Sequence, residues 1–172
     1  MIILGIDPGV ISTGYGAIKT DERRASLIDF GVIKVEREQD LPSRLNNIYQ
    51  GIADLCKQLR PDALAIEEIY FSKNARTALT VGHTRGAVIL AAVHHGVEVF
   101  AYTPLQIKQT ISGYGRADKS QMQKIIKMIL RLQEIPKPDH AADALGAALC
   151  HYYISRTRSR IFHRATEWGE EW

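Results

Sequence analysis

The chain opens on an apolar run, Ile2-Ile3-Leu4-Gly5-Ile6, that ends on Asp7 and is stopped at once by Pro8 and Gly9. A run of this length suits a short buried strand and is too short for a buried helix. Proline lacks a ladder donor and glycine permits a sharp turn, so the strand ends where Asp7 stands. Asp7 is therefore a carboxylate at the end of a strand buried on both faces. A charge there needs a partner; capping of the strand end is one answer and a metal ion is another. The pattern recurs at Ala63-Leu64-Ala65-Ile66, which follows Pro61 and ends in Glu67-Glu68. In open α/β sheets ligands gather at the carboxyl ends of strands, which sets Asp7 and Glu67 at the same edge.

The remaining elements follow from periodicity. Gly14-Tyr15-Gly16 reads as a turn into a second strand that runs to Lys19. Residues 25–35 read as a third strand, with Asp21-Glu22-Arg23-Arg24 as a charged hairpin between the two. These connections are too short for a helix, so the three strands are expected as antiparallel neighbours. Asp40-Leu41-Pro42-Ser43 opens a helix whose apolar residues, from Leu45 to Leu59, keep helical spacing up to Arg60-Pro61. Residues 72–95 predict a long helix with Leu79, Gly82, Gly86, Ile89, Leu90 and Val93 on one face. Glycine weakens an isolated helix, so Gly82 and Gly86 point to close approach of another element or a second subunit.

A strand at residues 97–102, a short helix from Thr103-Pro104 to Ile111 and a basic amphipathic helix at 118–132 come next. Met122, Ile125, Ile126, Ile129 and Leu130 form the inward stripe of that basic helix. An alanine-rich helix at 139–154 closes the pattern. The reading is an α/β fold: a mixed sheet with helices on both faces. Residues 1–155 are expected to form one domain, and 156–172 a basic, mobile tail without apolar periodicity.

Composition bounds the partners. The net charge of +3 says little, but its distribution says more. Lys108, Arg116, Lys119, Lys124, Lys127 and Arg131 face a single acid, Asp118, in that stretch, and Arg156, Arg158, Arg160 and Arg164 follow in the tail. A localised basic surface is the footprint of a phosphate-backbone binder, with a solvated helix face as the alternative. No apolar run spans a bilayer and no signal peptide is visible at the start, so no membrane association is expected. Cys56 and Cys150 match no metal or redox spacing and read as buried thiols of a reducing compartment. A cytoplasmic location follows.

The last helix carries His140 and Asp143 three residues apart, hence on one face. Asp139 follows Pro138 and reads as a helix N-cap. Asp143 could be a solvated first-turn acid, but the alanines around it suit burial. Two strand-end carboxylates with a helix that bears an Asp and a His form an oxygen-rich set with one nitrogen. Such a set suits Mg²⁺, with imidazole shifting preference toward Mn²⁺. Two ions roughly 3.5–4 Å apart would activate a water and stabilise the leaving oxygen in phosphodiester hydrolysis.

Five segments together resemble the RuvC family of Holliday junction resolvases. They are Gly5-Ile6-Asp7-Pro8-Gly9 with Thr13-Gly14-Tyr15-Gly16, Ala65-Ile66-Glu67-Glu68 followed by Lys73-Asn74-Ala75, Lys108-Gln109, Lys119-Ser120-Gln121, and Ala141-Ala142-Asp143-Ala144-Leu145. Each is weak alone; in order, from residue 1 to about 155, they are specific. The resemblance implies an RNase H-like fold, a homodimer, two divalent ions per subunit and paired symmetric nicks across a four-way DNA junction. It also implies a branch-migration helicase as partner. It carries the catalytic acids onto Asp7, Glu67 and Asp143 and sets Lys108 and Lys119 near the scissile phosphate. The family often has Asp three residues before its last catalytic Asp. This chain, like some members, has His140 there, so His140 joins the site as catalytic and metal-binding residue, with Asp139 as the alternative ligand at that point.

Tyr70 and Phe71 follow Glu67 directly. An exposed aromatic beside a nuclease site can stack on an unpaired base, worth about 1–3 kcal/mol; core packing is the alternative for either ring. The resemblance sets the stacking aromatic at Tyr70. Arg76 could enter the junction centre or be a surface helix charge. Two other functions are compatible with parts of the pattern. Gly-x-Asp-x-Gly followed by Thr-Gly also resembles the phosphate loop of actin-like ATP-binding enzymes, but that fold needs two duplicated domains. A junction-binding module without chemistry would not need the acids at 7, 67 and 143.

Overall fold

The computed structural model describes residues 1–68 and 75–167, with the side chains of 75–77 and 158–167 left out of the description. Three strands come first: β1 (Ile2–Asp7), β2 (Ser12–Thr20) and β3 (Ala25–Lys34). Helix α1 (Leu41–Leu59), strand β4 (Ala63–Glu67), helix α2 (Ala75–His94) and strand β5 (Glu98–Tyr102) follow. Helices α3 (Pro104–Ser112), α4 (Lys119–Leu130) and α5 (Asp139–Glu167) complete the order.

The five strands lie in the order β3-β2-β1-β4-β5. β1, β2 and β3 form an antiparallel meander, as their short connections require, while β4 and β5 run parallel to β1. β1 is the centre, and its alternate residues feed two cores. Leu4 and Ile6 pack with Leu64, Ile66, Ile48 and Ile52 from α1, and Val88, Ala91 and Ala92 from α2. Ile3 packs with Ala65, Ile107, Ile126, Leu145 and Leu149 on the other face, beneath α3, α4 and α5. Helices therefore cover both faces.

Of three expectations, two need correction and one narrows. First, Gly14-Tyr15-Gly16 is not a turn: it lies inside β2, with Gly14 paired to Asp7 and Gly16 to Gly5. These glycines exist for approach. A Cβ at Gly14 would run into the backbone carbonyl of His140, and one at Gly5 into that of Ala144. The bare sheet surface lets alanine-rich α5 lie directly on β1 and β2, with Ala141, Ala142, Ala144, Ala147 and Ala148 fully buried.

Second, the glycine face of α2, read as approached by another element or by a second subunit, is approached by no other element among the described residues. Leu79, Leu90 and Val93 are exposed, and the space beside Gly82 and Gly86 is empty within this chain. The opposite face, with Val88, Ala91 and Ala92, makes the core contact. Third, α5 runs to Glu167, beyond the end expected near Ile154. Helical backbone can continue past its apolar stripe when the preceding turns are already anchored, because propagation is easier than nucleation. No helix among the described residues is long and apolar enough to cross a membrane.

Candidate active site

The site is built at the carboxyl ends of the two central strands. β1 and β4 are parallel with Ile6 opposite Ile66, so Asp7 and Glu67, each one residue further on, finish side by side. α5 starts over the same edge because Gly14, the β2 partner of Asp7, admits the backbone of His140. Asp7 Oδ2 and His140 Nδ1 lie 2.6 Å apart in a hydrogen bond. Asp143, three residues on, lies on the same helix face and repels both Asp7 and Glu67.

Two further helices supply cations. Thr103 and Gln106 form a capping box that starts α3 and fixes the turn before Lys108. Asp118 and Gln121 do the same for α4, which makes Lys119 its first residue. Lys108 and Lys119 line one cleft with Glu67 and Asp143, floored by Ile107, Met122 and Ile126. Lys119 Nζ sits 3.2 Å from Asp143 Oδ2 and 3.2 Å from Asp139 Oδ2.

The electrostatics match this crowding. Burial, then the charges of Asp7 and Asp143, push Glu67 up to about 7, although Lys108 and Lys119 oppose the rise. Burial also raises Asp7 above the usual carboxylate range, and the hydrogen bond and charge of His140 offset this only in part. Partial burial pulls Lys119 down, but Asp143 and Asp139 outweigh it and hold its ammonium above the usual lysine range.

Three carboxylates, crowded and partly buried so that neither His140 nor the two lysines offsets the rise at Asp7 and Glu67, make with that imidazole a fitting set for a hard divalent cation. Among the described residues, no three such groups gather around one point as they stand. Asp7 is turned on His140 and Asp143 on Lys119.

The structure thus brings together Asp7, Glu67, His140 and Asp143, with Lys108 and Lys119 beside them. Tyr70 and Phe71 lie outside the described residues, as does the side chain of Arg76. Asp139 does not cap α5. The carbonyl of Pro138 accepts from Ala141 and Ala142 N–H, and the Asp139 carboxylate turns to α4 instead. One residue was missed: Gln123 donates through Nε2 to Asp139 Oδ1 at 2.9 Å. Its signal was its place four residues after Lys119, one turn along the same face.

A mixed sheet in this order, with acids at the ends of its two central parallel strands and on the closing helix, defines the RNase H-like class of α/β nucleases. The sequence matches the description "Crossover junction endodeoxyribonuclease RuvC" over residues 3–151, and the chain belongs to that family. It is 50% identical over 157 residues to the crossover junction endodeoxyribonuclease RuvC of Desulforamulus reducens, covering 91% of this chain and 96% of that protein. The protein of that name from Syntrophomonas wolfei is 43% identical over 171 residues, covering 99% of each. Among solved structures, Thermus thermophilus RuvC in complex with Holliday junction substrate superposes with a TM-score of 0.88 at 36% identity, covering 91% of this chain and 96% of that one.

Proposed function

We propose that this chain resolves four-way DNA junctions by paired symmetric nicks, through metal-assisted phosphodiester hydrolysis at Asp7, Glu67, His140 and Asp143. The observation that carries the reading is the meeting of these four groups at one sheet edge beside Lys108 and Lys119, in a member of a junction-nuclease family. The protein is a hydrolase acting on DNA. Family members depend on divalent metal, and Mg²⁺ or Mn²⁺, two per subunit, suits this donor set. Ions held there would supply an activated water and charge for the leaving oxygen.

The chain's own residues do the rest. Lys108 and Lys119, at the wall of the cleft, hold phosphate oxygens of the scissile strand. Asp7 and Glu67 fix the reacting edge because both end strands of a rigid sheet. Tyr70 stacks on an opened base, with Phe71 and Arg76 as further DNA contacts. The open face of α2, with Leu79, Gly82, Gly86, Leu90 and Val93, suits a second copy of the chain. Two active sites are also what paired nicks require. A branch-migration helicase is the natural further partner, and a cytoplasmic location suits the two free, buried thiols.

The test is incubation with a synthetic four-way junction and matched linear duplex, in Mg²⁺ or Mn²⁺, with product ends mapped. Symmetric nicks near the branch point of the junction alone support the reading. Junction binding without cleavage in either metal sinks it in favour of a binding module, and tight ATP binding without nicking favours the actin-like alternative.

A further inference from the structure

Four side chains join α4 to α5 through three contacts. Lys119 and Gln123 stand four residues apart on α4, and Asp139 and Asp143 four apart on α5. Gln123 Nε2 donates to Asp139 Oδ1 at 2.9 Å, and Asp139 Oδ2 lies 3.2 Å from Lys119 Nζ. The same Nζ lies 3.2 Å from Asp143 Oδ2. Asp139 therefore spends both oxygens on α4, neither on the helix end nor on Asp7.

We propose that Asp139 is a positioning residue that, braced by Gln123, shares the Lys119 ammonium with Asp143 and keeps it at the cleft when a cation takes up Asp143. This rests on the reading of Asp143 as a metal ligand. A lysine with Asp143 as its sole acceptor would compete with the cation for that carboxylate. Once displaced, its flexible stem would carry the charge into solvent, since the side chain is already 51% exposed. A second acceptor outside the ligand set removes both difficulties. The ammonium gives up Asp143 without leaving the site, and stays where Lys108 and Glu67 line the same cleft. An ion pair this exposed contributes little to folding, so its value is in placement.

The experiment compares the full chain with Asp139→Asn, which keeps the shape and removes the charge, Asp139→Glu, which restores it, and Gln123→Met, which removes the brace. Mn²⁺ is titrated calorimetrically into each protein without DNA, and nicking of a four-way junction is followed at saturating metal. Asp139→Asn is expected to weaken Mn²⁺ binding and slow turnover by about tenfold each, the low end for a residue that supports a ligand. Junction KM and melting temperature stay unchanged. Gln123→Met shows the same changes in smaller measure, and Asp139→Glu recovers most of the loss. In a Lys119→Gln background, Asp139→Asn adds nothing. Unchanged Mn²⁺ affinity and turnover in Asp139→Asn overturn the proposal. So does an equal loss in the Lys119→Gln background, or a loss of Mn²⁺ binding as complete as that of Asp143→Asn. Nicking by the unaltered chain tests the reading beneath it; the ratio of variant to unaltered chain tests the tether.

Discussion

Asp7 and His140 are 133 residues apart in the chain and 2.6 Å apart in space. The contact joins the last residue of the central strand to the first turn of the closing helix. It sets His140, and not its neighbour Asp139, against Asp7. A helix turns about 100° per residue, so adjacent side chains leave the first turn toward different partners, Asp7 for one and α4 for the other.

Removing the central acid should stop chemistry and spare binding. On the proposed reading, Asp7→Asn loses a metal ligand but no phosphate contact, because Lys108 and Lys119 lie on other elements. Metal assistance is worth several kcal/mol, so nicking should fall by roughly 10²–10³-fold. Junction affinity in a gel-shift titration should stay within a few-fold. Near-normal cleavage by this variant would contradict the metal reading.

His140 should tolerate an acid better than a methyl group. His140→Asp keeps a donor at the same helical position and should retain cleavage, with preference moved from Mn²⁺ toward Mg²⁺. His140→Ala should lose most cleavage and weaken Mn²⁺ binding by calorimetry. Equal activity in His140→Ala and the unaltered chain removes His140 from the ligand set.

Without metal, the protein should lose stability as pH rises. Glu67 binds its proton more tightly in the fold, at about 7, than in the unfolded chain, near 4.5. The folded state therefore holds protons that the unfolded state has released, and stability falls as pH climbs from about 4.5 to about 7. The full effect is on the order of 3 kcal/mol. Thermal melts in chelator should show the decline, Glu67→Gln should flatten it, and added Mg²⁺ should restore the melting temperature at neutral pH. A flat profile in the unaltered chain would contradict the crowding described here.

Gly14→Ala should damage the site through the backbone. The added methyl meets the His140 carbonyl and must lift the start of α5 from the sheet. Overpacking of this kind costs about 1–3 kcal/mol, and the shift separates His140 and Asp143 from Asp7. Chemical denaturation should show the loss of stability. Nicking should fall by more than the unfolded fraction explains.

The open face of α2 gives the last test. Leu90→Asp puts a charge in the centre of the exposed apolar stripe. If a second copy covers that stripe, sedimentation should move from dimer to monomer, while the melting of the monomer changes little. An unaltered chain that sediments as a monomer with junction DNA present rules the dimer out.

Much of this was legible along the chain. Apolar runs closed by Asp7 and by Glu67 announced two buried strands with acids at one edge, because strand length, proline and glycine are local signals. The antiparallel meander followed from connections too short for a helix, and helices were expected to start at Thr103-Pro104 and at Asp118, where the structure starts them. Other features were decided only by packing. Gly14 and Gly16 look like a turn in isolation, and only the helix lying on them shows that a strand needed to be bare. The glycine face of α2 suited either another element or a second subunit, and only packing shows that the core takes the Val88, Ala91 and Ala92 side, since periodicity finds a stripe but not what covers it. Asp139 had the local look of a cap, yet its carboxylate answers to Lys119 and Gln123, residues brought within reach only when α4 and α5 pack together. Local signals set which elements form and where each ends; contacts between groups distant in the chain depend on the geometry of the whole sheet and its helices.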